Sequence, residues 1–220
     1  GWYIRMGHAR DEKDEDAVKE FFHLHLPPDA SKFTGFYEKL YLFQSYAWYG
    51  FILQDFLLYY RNCQRWVDLF EKEPFMKKVE SQHYIKGMHN LLNAHFMLQN
   101  HVKFNEALHQ FELFYHSKEA NSNNNNQVQS FVYLYIAKIN KHFLEGSFSQ
   151  GLKLVPHVEE KLEEHELLLD RHRILVFYYK LACLYFGAGN YDKTIEYLNR
   201  IINWKFDLRT DLQCYARLLH

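Results

Sequence analysis

The sequence predicts an all-α fold built from about four to five stacked helical hairpins, and three observations predict it. Helical periodicity runs through nearly the whole chain, strand-like alternation is almost absent, and only four prolines interrupt 220 residues. Nearly half of the residues are hydrophobic and 40 are aromatic, so a core can form. Four related stretches, "YRNCQRWVDLF", "FNEALHQFELF", "FSQGLKLVPHV" and "YDKTIEYLNRI", begin at Tyr60, Phe104, Phe148 and Tyr191, at spacings of 44, 44 and 43 residues.

Residues 1–35 precede the first hairpin. "ARDEKDEDAVKE" is densely charged and Pro27 with Pro28 breaks any helix, so this part reads as a charged linker or lead-in segment packed on the first repeat. Residues 36–220 form the repeat domain. Helix pairs are expected at about 36–58 with 60–72, 80–100 with 104–118, 129–145 with 148–164, and 167–187 with 191–204, and "DLRTDLQCYARLLH" starts a fifth. The run "SKEANSNNNNQVQ", 117–129, has only Val128 to anchor it and reads as a mobile loop.

Within each related stretch the aromatic anchor is followed three residues later by a small or modest residue, Cys63, Ala107, Gly151 or Thr194, as close helix crossings require. Apolar residues follow at seven and ten: Val67 and Phe70, Phe111 and Phe114, Val155 and Val158, Leu198 and Ile201. These offsets keep one face toward a neighbouring helix. Short polar or glycine-bearing elbows, "QNHVK", "EGS" and "GAGN", stand before three of the anchors. In "GAGN" a glycine, Gly187 or Gly189, is expected to end its helix in the left-handed conformation. A phosphate-cradling loop needs a preceding strand and a fuller motif, and the sequence has neither. Hairpins of this kind cannot bury their apolar faces alone, so they stack on neighbours.

The last repeat carries a family resemblance. "YKLACLYFGAGNYDKTIEYLNRI", with Tyr178, Leu181, Ala182, Tyr185, Gly189, Tyr191, Thr194, Leu198 and Ile201, resembles a tetratricopeptide repeat. The family's 34-residue spacing recurs once, carrying Tyr178, Leu181, Ala182 and Tyr185 onto Leu212, Tyr215, Ala216 and Leu219. Upstream the period lengthens to 43–44, Thr194 replaces the family's preferred alanine, and no proline closes the repeat near Phe206. The resemblance implies a right-handed α-α superhelix whose inner surface is made mostly by the first helix of each pair.

With 26 basic and 27 acidic side chains the chain has no basic stripe for a phosphate backbone, so no direct nucleic-acid partner is expected. Its most apolar run, "YAWYGFILQDFLLYY", is broken by Gln54 and Asp55, and no membrane span is expected. Cys63, Cys183 and Cys214 are odd in number and far apart, which fits a reducing, cytoplasmic setting, and each is read as a small buried apolar residue. The first residues, "GWYIRMGHAR", lack a signal-peptide pattern and read as the interior of a longer protein.

Fourteen histidines invite a metal, but His83, His89, His95 and His101 recur every six residues and point apart around a helix. Without a ligand motif they read as surface or core histidines, and no metal or cofactor is expected. Nor does any catalytic motif emerge: the glutamates at 159, 160, 163 and 164 read as a solvated helix face, and the chain reads as a non-enzyme.

If the family's geometry holds, Trp48, Phe96 and Tyr179 are apolar anchors on the concave face, with His89 and Asn140 as orienting polar groups. The expected function is a noncatalytic scaffold holding a peptide or protein partner in that groove; the alternative is a regulatory or sensory domain of a multidomain protein. A carboxylate clamp for acidic peptide tails is not expected, because no lysine stands twelve residues before any anchor.

Overall fold

Helices form where the apolar spacing predicts them, and the capping residues fix their ends. The computed structural model describes residues 7–27, 32–203 and 210–219. The first helix, α1, spans Glu12–His25; Asp11 caps it by accepting from the Asp14 amide, and acidic residues fill its first turn, where the helix dipole favours them. The charged segment thus holds a helix, which buries Val18 completely and sets Phe22 against the Tyr49 ring. It ends at His25, ahead of the two prolines.

Helices α2 (Phe36–Ile52), α3 (Phe56–Lys72), the short α4 (Met76–Val79), α5 (Ser81–Met97) and α6 (His101–Tyr115) follow. Then come α7 (Asn124–Glu145), α8 (Phe148–Gly151), a 3-10 turn at Leu152–Leu154, and α9 (Val155–Glu164). The interruption precedes Pro156, which has no amide to donate to the preceding turn. Helices α10 (Arg171–Gly187), α11 (Tyr191–Ile202) and α12 (Thr210–Leu219) complete the chain, and no strand occurs among the described residues. The start of the segment expected to begin the fifth pair, 207–209, lies outside those residues.

Four hairpins share one elbow. Gln54, Gln99, Gly146 and Gly189 adopt the left-handed conformation, with φ of 58°, 52°, 64° and 77°. The next residue in each case donates its amide to a carbonyl five positions back: Asp55 to Gly50, Asn100 to His95, Ser147 to His142 and Asn190 to Tyr185, all at 2.9–3.0 Å. This bond satisfies a carbonyl that the end of a helix leaves open. Asp55, Asn100 and Asn190 then cap the following helix by accepting from the amides of Leu58, Lys103 and Lys193. "GAGN" is therefore an elbow, and the left-handed glycine is Gly189.

Three expectations are corrected. The first inner helix stops at Ile52 rather than running to 58, because the elbow at Gln54 and Asp55 turns the chain. The asparagine run is not a loose loop: Asn123 caps α7 by accepting from the Asn126 amide, Asn126 is buried and bonds Ser122 Oγ, and Ala120 is 1% exposed. The four aromatic anchors are not equivalent either. Tyr60 and Phe104 lie six and five residues after their left-handed residues, whereas Phe148 and Tyr191 lie two after theirs. The true period is 45, 47 and 43 residues. A slip of three or four residues is one helical turn and preserves the face, so all eight apolar residues at offsets seven and ten are still buried.

The chain divides into two compact units, Gly1–Ala107 and Leu108–His220. In the first, α1 packs on α2, α2 on α3 and α3 on α5. There Gly50 permits a close approach, since a Cβ on it would lie 2.6 Å from the Tyr59 backbone nitrogen. Residues 8 and 9 clasp the end of α2: the Ala9 amide donates to the Ile52 carbonyl, His8 Nδ1 lies 2.9 Å from the Phe51 carbonyl oxygen, and Gln54 Nε2 donates to the Ala9 carbonyl. In the second unit α10 packs on α7, α8 and α11, and α11 on α12. Gly151 fits tightly there, its missing Cβ falling 2.8 Å from Leu184.

Candidate functional site

Large side chains left uncovered by the packing mark the candidate surfaces. In the first unit Tyr37, Tyr41 and Trp48 lie on α2 at spacings of four and seven residues, which places them on one helical face. They are 44%, 54% and 46% exposed. Around them the groups are polar: the Tyr37 hydroxyl donates to Glu80 at 3.0 Å, Tyr41 meets the His83 ring edge-on, and His83 Nδ1 lies 2.9 Å from Glu80 Oε2. Trp48 stands edge to face with Phe51.

His89 and Phe96, both half-buried, are on α5 in the same unit as Trp48, whereas Asn140 and Tyr179 belong to the second unit. Asn140 is buried, and its carboxamide oxygen accepts from the Lys180 ammonium at 2.6 Å. The sequence reading gave Asn140 a solvent-facing orienting role; the packing of α7 against α10 turns it inward to that lysine instead. The Lys180 ammonium also stands 5.4 Å from the centre of the Phe143 ring, and burial lowers its pKa to about 8.

A cavity of about 540 Å³ opens in the second unit, with Phe143, Phe148, Tyr179, Cys183, Phe186 and Leu219 among its walls. Burial raises the Cys183 thiol pKa against the opposing pull of Lys180, and burial likewise raises that of Tyr179. The cysteines differ from one another: Cys63 is a buried core residue, Cys183 borders the cavity, and Cys214 is exposed on α12. The expectation that all three are buried holds at Cys63 alone: Cys183 is half-buried and Cys214 is exposed on α12.

Two features escaped the sequence reading. Lys180 stands eleven residues before Tyr191, one position away from the twelve-before site inspected for clamp lysines. The other is a recurring phenylalanine: Phe51, Phe96, Phe143 and Phe186 each stand three residues before a left-handed elbow residue. Their spacings of 45, 47 and 43 follow the elbows one for one, and the uneven period hides the signal. Of the four, Phe143 and Phe186 both border the cavity.

Among the described residues no group of three or more histidine, cysteine, aspartate and glutamate side chains could hold a metal ion, and no helix is long and apolar enough to cross a membrane. No family model, no curated protein and no solved structure matches this chain.

Proposed function

We propose that this chain is a noncatalytic binding module, a right-handed solenoid of tetratricopeptide-like hairpins whose inner helices hold a peptide or protein partner. Supporting the repeat reading are the four equivalent elbows and the packing of α2 on α3, α3 on α5, α10 on α11 and α11 on α12, near neighbours in sequence. One observation carries the binding reading: three aromatic residues, Tyr37, Tyr41 and Trp48, share a single face of α2 with about half of each left uncovered. Tyrosine and tryptophan give large contact areas at little entropic cost, and interfaces concentrate their energy in such residues within a polar rim. Glu80 and His83 supply that rim. Trp48 is the anchor that the sequence and this face have in common. Free thiols at Cys63, Cys183 and Cys214 support a reducing compartment such as the cytoplasm.

Affinity capture from the source cells with the parent protein and with Tyr41→Ala and Trp48→Ala variants tests the reading. A partner retained by the parent should bind each folded variant with about 2 kcal/mol less free energy, on the order of thirtyfold weaker. Raising salt should change binding little, because apolar burial dominates. If both variants bind every captured partner as the parent does, the α2 face is not the binding surface.

A further inference from the structure

The cavity of the second unit is an apolar space that the packing leaves open. Its volume of about 540 Å³ falls within the range of roughly 300–1,000 Å³ typical of small-molecule pockets. Protein interiors otherwise pack as densely as organic crystals, with few voids larger than a water molecule, so a space of this size stands apart from the core around it. Among the described residues its lining holds no charged group. The Thr194 hydroxyl is committed to the Asn190 carbonyl at 2.9 Å, which leaves one hydroxyl, on Tyr179, and one thiol, on Cys183. An ordered water needs about two to four polar partners, and walls of phenylalanine and leucine offer it none.

The elbow phenylalanines indicate what fits. In the first unit Phe51 is surrounded by rings of the protein itself: His8, Tyr59 and Trp48 lie 4.7, 5.2 and 5.8 Å from it, centroid to centroid. Its counterparts on the cavity have fewer. Among the described residues the ring neighbour of Phe143 is Phe148, at 6.2 Å, and that of the exposed Phe186 is Tyr191, at 5.8 Å. Aromatic rings attract one another, edge to face or offset, at centroid distances of about 4.5–7 Å, beyond what their buried area contributes. A flat ring entering the cavity gives Phe143 and Phe186 the kind of neighbour that Phe51 finds within the chain. The same lining rejects an ion, because a charge buried without a partner costs more than apolar contact contributes.

We propose that this cavity binds an uncharged, flat aromatic small molecule, held among Phe143, Phe148 and Phe186. The inference is independent of the aromatic face of α2, so either can fail without the other.

Fluorescence titration of the full chain with N-phenylnaphthylamine and with anilinonaphthalene sulfonate, the same ring system carrying an anion, tests it. The neutral probe should saturate at one site per chain and bind about tenfold or more tighter than the sulfonate, for which the lining has no partner. The cysteines then report where it sits. Bound neutral probe should slow alkylation of Cys183 by N-ethylmaleimide several-fold, while Cys214, exposed on α12 and outside the lining, should react at an unchanged rate in the same sample. Cys183→Phe, which places a ring in the space, should abolish binding, and Tyr41→Ala and Trp48→Ala should leave it unchanged. Non-saturable uptake, a sulfonate bound as tightly as the neutral probe, binding retained by Cys183→Phe, or binding lost in Trp48→Ala overturns the proposal. Should Cys183→Phe not fold, a Cys183 that reacts equally fast with and without the probe in the parent protein overturns it alone.

Discussion

The Phe148 ring occupies the space in which Gly187 would carry a side chain: a Cβ built on Gly187 falls 2.4 Å from two of its ring carbons. Two residues later Gly189 has nothing among the described residues within 4 Å of the same position, but its φ is +77°. The two glycines of one elbow are thus required for different reasons, the first by packing and the second by backbone conformation.

That difference predicts opposite tolerances. Gly187→Ala should destabilise by about 1–3 kcal/mol through overpacking. Gly189→Asn should cost only a few tenths, because asparagine enters the left-handed region readily, whereas Gly189→Val should cost about 1–2 kcal/mol or more. Urea unfolding of the three variants checks this. Equal losses for Gly187→Ala and Gly189→Asn would show that packing does not separate the two positions.

The asparagine run makes a second prediction. Asn123→Ala removes the cap of α7 and should cost about 1 kcal/mol, while Asn123→Asp should be nearly neutral. Asn125→Ala, at an exposed position, should change stability by less than about 0.5 kcal/mol. Deleting 123–126 should lower the unfolding midpoint clearly, since the first turn of α7 goes with it.

His95 predicts an acid response. The side chain is 2% exposed, packs on the Tyr60 ring, and its Nδ1 has no hydrogen-bond partner among the described residues. Burial, and secondarily Lys103, lowers its pKa to about 4 from an ordinary value of 6.5. The unfolded chain binds this proton below pH 6.5 and the native protein only near pH 4, so the stability it contributes is complete above 6.5 and is lost as pH falls to 4. The loss reaches at most about 3 kcal/mol. Unfolding free energies of the parent and of His95→Phe should therefore converge or cross on acidification. Parallel curves between pH 4 and 6.5 would exclude a neutral buried imidazole.

Lys180 predicts the matching effect on the alkaline side. With its native pKa near 8 and an ordinary value of 10.5, the unfolded chain holds the extra proton between those limits. Stability from this group therefore rises with pH from about 8 to 10.5, by at most about 1.4 kcal/mol per pH unit. The difference between the parent and Lys180→Met isolates it from the tyrosines that titrate nearby. A difference independent of pH from 7.5 to 10 would mean that the ammonium is well solvated.

The helices and their buried faces were legible because apolar spacing at 3.6 residues per turn is a property of each segment alone. Val67, Phe111, Val158 and Ile201 could be placed in the core without knowing what covers them. The exact repeat register was not legible, since Tyr60 and Phe104 can slip by one turn and still present the same face. Short-range capping by Asn123 and the burial of Asn126 were hidden by a composition that resembles a spacer. The site was legible only in part. Trp48 is where an exposed aromatic was expected, but the inward turn of Asn140 depends on Lys180, forty residues away, and no local pattern encodes that pairing.

Residues 8 and 9 complete hydrogen bonds at the end of a helix more than forty residues downstream. The Ala9 amide is thereby a reporter on the first elbow: it exchanges with solvent deuterium only when the Ile52 carbonyl lets it go. Gln54 ties the two events together, holding a left-handed backbone at the bend while its side chain grips the Ala9 carbonyl. Glycine at that position would ease the bend and loosen the grip at once, so the rate at which one amide loses its proton measures the balance between a relaxed turn and an anchored beginning.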